Sequence, residues 1–214
     1  MSVTPDDPAQ RAAYWPLPLA RALPAAVLAV VITFSADHSA TLGLTAFGVF
    51  ATVTGIVVAA LASLRLPVGT RAIFVTHGVV SAVLGTLALA LHSGGVTSLF
   101  LVVSVWAAIT GALEIYSGLR ARRRHVASAD WTTTGVLTAV LALVFVLIPP
   151  EFAQSFTGPD RVARVLDSAV VAVGLLGAYA AIIAVYLVIA GFSAKWGTQK
   201  ATPAPPDAVK GERT

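Results

Sequence analysis

The sequence predicts an all-α integral membrane protein with six transmembrane helices, built as three tandem helical hairpins with the N and C termini in the cytoplasm. Three observations predict this fold class. Only 11% of the 214 residues are charged, whereas a soluble domain usually carries about 25%. The apolar residues come in long blocks, and no charged residue lies between Leu42 and Leu64. The blocks also repeat along the chain.

Each block is long enough for a membrane helix, because about 20 helical residues cross the hydrocarbon of a bilayer. Lipid offers no water to unpaired backbone groups, so helices are the expected form of these blocks. The predicted helices cover residues 22–36, 41–64, 72–91, 97–119, 131–148 and 168–192.

Local signals set the ends of several helices. Arg21 and Asp37 are expected to bound the short first helix, since both side chains can reach the membrane interface. Pro149 and Pro150 stop the fifth helix. The segment 151–168 that follows carries apolar side chains beside arginines. It is expected to be either a short amphipathic helix on the outer leaflet or a plain loop.

The positive residues predict the orientation. Twelve of them fall on one side of the predicted helices, namely Arg11, Arg21, Arg65, Arg71, Arg120, Arg122, Arg123, Arg124, Lys195, Lys200, Lys210 and Arg213. Only Arg161 and Arg164 fall on the other side. The positive-inside rule therefore predicts cytoplasmic termini. Trp15, Trp131 and Trp196 fall at the predicted cytoplasmic helix ends, where an aromatic belt is expected.

The cluster Arg120, Arg122, Arg123 and Arg124 is interpreted as a helix stop and an orientation mark. A role in binding anionic lipid or nucleic acid is the alternative. Because the net charge of +4 belongs to loops and tails, topology explains it better than nucleic-acid binding does. We therefore expect no nucleic-acid partner.

The repeat is visible in both helices of each predicted hairpin. In the first helices, AVLA from Ala26, AVLG from Ala82 and AVLA from Ala139 recur at offsets of 56 and 57. In the second helices, FATVTG, WAAITG and YAAIIA begin at residues 50, 106 and 179. Matches in one consistent order indicate a tandem repeat. The expected organisation is a cytoplasmic segment 1–20, a membrane domain 21–195 with repeats of about 21–66, 71–124 and 130–195, and a disordered cytoplasmic tail 196–214.

Two of the second helices carry a family resemblance. VWAAITGALEIYSGLRARR is the clearest copy of an apolar–small–Gly–apolar pattern ending in arginine, and FGVFATVTGIVVAALASLRLP is a looser one. With three hairpins of this kind over roughly residues 20–195, the chain resembles the HdeD-like acid-resistance membrane proteins of bacteria. The third copy departs from the pattern, with Ala184 where the others have Gly55 and Gly111. The resemblance implies a cytoplasmic-membrane protein linked to acid or stress tolerance, and it supplies no catalytic residues.

Glu114 is the first candidate for chemistry, because a charge at mid-bilayer costs roughly 3 kcal/mol. It precedes Arg120 by six residues, about 9 Å of helix, so snorkelling toward the headgroups is the structural alternative. His77 follows Arg71 by six residues on the preceding antiparallel helix and is expected at a similar depth. Glu114 and His77 are therefore a candidate intramembrane polar pair, which would fix helix packing or respond to pH.

Four residues of the predicted outer turns are candidates for a pH response, namely Asp37, His38, His92 and Glu151. Histidine titrates near pH 6.5, so external acid would make this face more positive. Solvated turn residues are the ordinary alternative. The spacing matches no metal-ligand motif, and we expect no metal.

The leading functional hypothesis is a non-enzymatic membrane protein that acts on the lipid bilayer, on copies of itself or on other membrane proteins. There is no cysteine, and no phosphate loop, nucleophile elbow or acid–base pair is present in the sequence. We expect no cofactor. The second hypothesis is a small proton-linked transporter or channel, with Glu114 and His77 near its inner mouth.

Overall fold

The computed structural model describes residues 8–157, residue 159 and residues 163–200. The helices of this part of the chain are α1 (Pro8–Tyr14), α2 (Pro16–Phe34), α3 (Ala40–Arg65), α4 (Val68–Ala90), α5 (Gly95–Arg120), α6 (Ser128–Leu147) and α7 (Ser168–Lys200). Two strands, β1 (Ala153–Thr157) and β2 (Ala163–Asp167), lie between α6 and α7.

The predicted all-α fold with six membrane-length helices is confirmed, and the orientation of the termini stays a prediction. Six helical stretches of the described chain are long and apolar enough to cross a membrane, with α1 and α2 together forming the first of them. This first helix starts earlier than the predicted residue 22. Pro16 and Pro18 fit the first turn of α2, where a missing N–H costs nothing, and Leu17 between them is buried.

The three hairpins close into a ring. The second helix of each hairpin packs most closely on the first helix of the next, so that α3 packs on α4, α5 on α6, and α7 on α2. The contact between α7 and α2 joins the last repeat to the first. We call this arrangement the repeat ring. Helices α3, α5 and α7 also touch one another in its middle.

Two of the three interfaces depend on glycines at equivalent repeat positions. A Cβ on Gly55 would lie 2.5 Å from the carbonyl oxygen of Gly78, and a Cβ on Gly111 would lie 3.0 Å from that of Gly135. The helix backbones therefore approach more closely than a side chain allows, as small residues permit in membrane helices. At the third interface, the equivalent positions hold buried Ala184 and Ala22.

The middle of the ring is aromatic. Phe50, Trp106 and Tyr179 begin the three matching segments of the second helices, and their rings lie together. The ring centroids of Phe50 and Trp106 are 5.8 Å apart, and those of Trp106 and Tyr179 are 6.3 Å apart. The repeat seen in the sequence is thus a repeat of the packing.

The segment after α6 is a β-hairpin, so both sequence-based alternatives, an amphipathic helix and a plain loop, are wrong. β1 and β2 pair antiparallel from Ala153 opposite Asp167 to Thr157 opposite Ala163. The chain after the two prolines cannot continue α6, so its backbone N–H and C=O groups need other partners. The pairing of β1 with β2 supplies them. Ser168 anchors the hairpin, since its hydroxyl donates to the Pro150 carbonyl at 2.6 Å. Arg161 lies outside the described residues.

The two ends of the described chain meet at one end of the bundle. The Lys195 ammonium lies 5.2 Å from the ring centre of Trp15. The same end carries Arg65, Arg71, Arg120, Arg122, Arg123 and Arg124, and we call it the arginine-rich end. Its position in the cytoplasm stays a prediction.

One member of the predicted aromatic belt is misplaced. Trp196 is 59% exposed, but Trp131 is only 1% exposed. Its ring packs on Phe74 and His125, at centroid distances of 4.8 and 4.6 Å. The N-terminal turn of α6 faces the bundle interior at this position, so Trp131 belongs to the core.

Gly55→Leu is expected to lower the melting temperature of the purified protein in detergent. Its new side chain meets backbone atoms of α4, which cannot move aside as a side chain would, and overpacking of this kind costs about 1–3 kcal/mol or more. Gly174→Leu is the matched control, because a Cβ there has no neighbour within 4 Å. Equal melting temperatures for the two variants would contradict the close approach of α3 and α4.

Candidate functional site: a buried charge cluster

Glu114 lies in the interior of the bundle and is 1% exposed. It does not snorkel, so the structural alternative for this residue is wrong. Its Oε1 accepts a hydrogen bond from Nη2 of Arg21, and Nδ1 of His77 lies 3.6 Å from the same oxygen. Arg21, His77 and Glu114 form what we call the charge cluster.

Arg21 does not mark the end of the first helix, contrary to the sequence interpretation. Because the membrane-crossing stretch runs from Pro8 to Phe34, Arg21 lies well inside it, and its side chain is only 10% exposed. An isolated guanidinium would be costly there. The carboxylate of Glu114 balances its charge and accepts its hydrogen bond, which makes the burial tolerable.

The repeat ring explains how the cluster assembles. Arg21 and His77 are 56 residues apart and occupy the same repeat position on α2 and α4, and the third equivalent is Thr134 on α6. The equivalents of Glu114 are Val58 and Leu187, both buried. Two equivalent side chains thus meet one carboxylate on α5. The 56-residue offset was the sequence signal that could have found Arg21.

The charges of the cluster balance only when His77 is neutral. Arg21 and Glu114 cancel, so a proton on His77 would leave one uncompensated positive charge in a buried site. Several buried polar atoms here have no hydrogen-bond partner, namely Arg21 Nε, His77 Nδ1, Glu114 Oε2 and Thr54 Oγ1. Such atoms are uncommon in protein interiors and need a physical account.

A small cavity adjoins the cluster. Its volume is about 10 Å³, which is near the least space that holds one water molecule. Its lining combines apolar side chains with six polar residues, namely Arg21, Thr54, His77, Thr110, Thr138 and Tyr179. The cavity is too small for any organic substrate, but a water there would lie beside Arg21, Thr54 and His77, each of which has an unpartnered polar atom.

Aromatic layers lie on both sides of the cluster along the membrane normal. Trp106 precedes Glu114 by eight residues, about 12 Å of helix, and packs with Phe50 toward the end opposite the arginines. Phe74 precedes His77 by three residues, toward the arginine-rich end, and stacks on it at 6.3 Å. The cluster is therefore enclosed above and below by ring systems.

In the aromatic layer that contains Trp106, two hydrogen bonds occupy equivalent positions in two repeats. Trp106 Nε1 donates to Ser81 Oγ at 3.0 Å, and the hydroxyls of Tyr179 and Thr138 are 2.8 Å apart. The first repeat has Phe50 and Ala25 at these positions and so makes no such bond. The polar contacts of this layer are therefore made by the second and third repeats and not by the first.

The predicted outer residues lie at the opposite end of the bundle but are not brought together. Asp37 accepts bonds from the backbone N–H and the hydroxyl of Ser39, both at 2.8 Å. His92 contacts the Leu89 carbonyl oxygen at 3.1 Å. No hydrogen bond or ion pair joins any two of Asp37, His38, His92 and Glu151, and no group of three metal-binding side chains occurs among the described residues.

The arginine cluster follows the end of α5. Arg120 Nη1 donates to the Tyr116 hydroxyl at 2.8 Å, and Arg122, Arg123 and Arg124 are exposed in the turn beyond. Gln10 of α1 holds this turn, since its side-chain oxygen accepts from the Val126 N–H at 3.2 Å. The cluster is a helix terminus fixed to the first helix.

Glu114→Leu is expected to destabilise the protein by about 3–5 kcal/mol, because it leaves Arg21 buried without a counter-charge. The double variant Arg21→Leu/Glu114→Leu is expected to recover much of this loss, since Leu187 already occupies the equivalent position in the third repeat. Thermal unfolding in detergent measures both effects, with exposed Glu151→Gln as control. A double variant no more stable than the single one would exclude mutual compensation of the two charges.

Comparison with known proteins agrees with the repeat. A family model described as "Short repeat of unknown function (DUF308)", the family to which HdeD belongs, matches residues 76–148. The match covers about a third of the chain, from α4 through α6. No curated protein and no solved structure gives a significant match. The chain is thus similar to a DUF308 repeat over its second hairpin and the first helix of its third.

Proposed function

We propose that this chain is a non-enzymatic protein of the bacterial cytoplasmic membrane, of the HdeD type, that contributes to acid or stress tolerance. It acts through the bilayer, through copies of itself or through other membrane proteins. Its single chain provides a compact, closed bundle in the membrane and carries no substrate through it.

The observation that carries this proposal is the enclosure of the charge cluster. Arg21, His77 and Glu114 are buried between aromatic layers, and the adjoining cavity has room for about one water. Such a centre favours a charge-balanced packing element over a transport path. The likeness to the DUF308 repeat supports the HdeD type, since HdeD belongs to that family.

The second candidate, a proton-linked transporter, is favoured by one observation. Threonine and tyrosine residues are part of the lining of the cavity beside the cluster, and hydroxyls can form a hydrogen-bonded chain. This function requires the aromatic layers to part during a transport cycle. Water would then reach Thr110, which is buried in the structure.

Deletion of the gene is expected to lower survival after acid challenge, and the wild-type gene is expected to restore it. The double variant Arg21→Leu/Glu114→Leu separates packing from charge. If it reaches wild-type abundance and restores survival, the cluster acts through packing, and if it does not restore survival, its charges act directly. A deletion strain that survives as well as its parent would exclude the proposed role.

Thr110→Cys is expected to resist a water-soluble thiol reagent in intact membranes, because the side chain faces a closed interior. The chain lacks cysteine, so every label reports the introduced residue. Ser93→Cys, in the exposed turn between α4 and α5, is the positive control. Labelling of Thr110→Cys at a rate approaching that of Ser93→Cys would favour the transporter over the closed bundle.

A further inference from the structure

A second cavity lies at the arginine-rich end, between α1, α6 and α7. Its volume is about 280 Å³, and its lining includes Arg11, Tyr14, Asp130, Tyr186, Ile189 and Ser193. This is enough space for a small polar headgroup. It is partly open to the outside of the bundle.

Asp130 is the residue that gives this pocket its chemistry. Asp130 lies in the first turn of α6, which starts at Ser128 without a side-chain cap. The Asp130 carboxylate accepts a hydrogen bond from the hydroxyl of Tyr186 at 3.0 Å, and Tyr14 lies beside it in the lining of the pocket. The donor is neutral. The carboxylate is therefore held in position without being neutralised.

The surroundings of Asp130 make this unusual. It is the one described carboxylate at the arginine-rich end, yet among the described residues no arginine, lysine or histidine forms an ion pair with it. A partly buried carboxylate gains most from a cationic partner that can also donate hydrogen bonds. An ammonium group meets both requirements.

The rest of the lining suggests what accompanies the ammonium. Arg11 borders the same pocket, and a guanidinium binds phosphate well. Ile189, also in the lining, is 60% exposed on α7, within a stretch apolar enough to cross the membrane. The pocket thus borders the surface that lipid covers.

We propose that this pocket binds a phosphoethanolamine group, with the ammonium on Asp130 and the phosphate toward Arg11. The position of Ile189 favours phosphatidylethanolamine of the surrounding bilayer as its source. This binding does not depend on the proposed role in acid tolerance.

Comparison among the repeats supports a dedicated site. The positions equivalent to Asp130 are Leu17 and Ile73, and those equivalent to Tyr186 are Val57 and Leu113. Packing of the repeat ring is thus satisfied by apolar residues at both positions in two repeats. The carboxylate and its tyrosine occur together only in the third repeat, where they line the pocket.

The test measures lipid binding to the full chain, purified in detergent, by native mass spectrometry. Wild-type protein is expected to bind phosphatidylethanolamine more tightly than phosphatidylcholine, whose quaternary ammonium has no N–H to donate. Asp130→Asn is expected to weaken phosphatidylethanolamine binding about tenfold, equivalent to ~1.4 kcal/mol, and to leave phosphatidylglycerol binding unchanged. Asp37→Asn, at the opposite end, is the matched control.

A second variant and a competitor complete the test. Tyr186→Phe keeps the carboxylate but removes one hydroxyl that positions it, and is expected to weaken phosphatidylethanolamine binding severalfold. Displacement of the lipid by free phosphoethanolamine would support the headgroup chemistry with a soluble source as well, and retention of the lipid would support the bilayer as the source. Equal phosphatidylethanolamine binding by wild type and both variants, or no preference over phosphatidylcholine, would overturn the proposal.

Discussion

The ion pair between Arg21 and Glu114 is the constraint on which the rest of the structure depends. Neither charge is tolerable alone in a lipid-covered bundle, so α2 and α5 must be held where the two side chains meet. These helices belong to different hairpins. The close interfaces of the repeat ring supply the rigidity, because helix backbones that nearly touch at Gly55 and Gly111 have little freedom to shift. Packing and electrostatics therefore support each other.

The repeats share a scaffold and differ in the residues that could carry function. One repeat position holds Arg21, His77 and Thr134, and another holds Val58, Glu114 and Leu187. The ring tolerates apolar, polar and charged side chains at these positions because its interfaces are formed elsewhere, by small residues. Each repeat can then contribute a different group to the centre or to a pocket at the end, without any change in the architecture.

The crossing helices and the repeat were predictable from the sequence. Bilayer thickness sets the length of each apolar block, and helix packing sets the positions of the small residues, and both features recur in three hairpins. The position of Arg21 was not recognised, since a charge near the edge of an apolar block ordinarily marks an interface. Only its contact with Glu114, 93 residues away, makes burial favourable. The β-hairpin was missed because Val165 and Leu166 suit a short helix as well as a strand. Trp131 was assigned to the membrane interface from its position at a helix end, but tertiary packing places it in the core.

The distance along the chain between Arg21 and Glu114 has a consequence for biogenesis. Helix α2 leaves the ribosome well before α5, so its guanidinium enters the membrane region while its counter-ion is still unsynthesised. The nascent hairpin must therefore keep Arg21 near water or the insertion machinery until the later helices arrive. Helix α7 can dock on α2 only after the whole membrane domain has been synthesised. Until then, the side of α2 that will contact α7 must stay unoccupied by another helix.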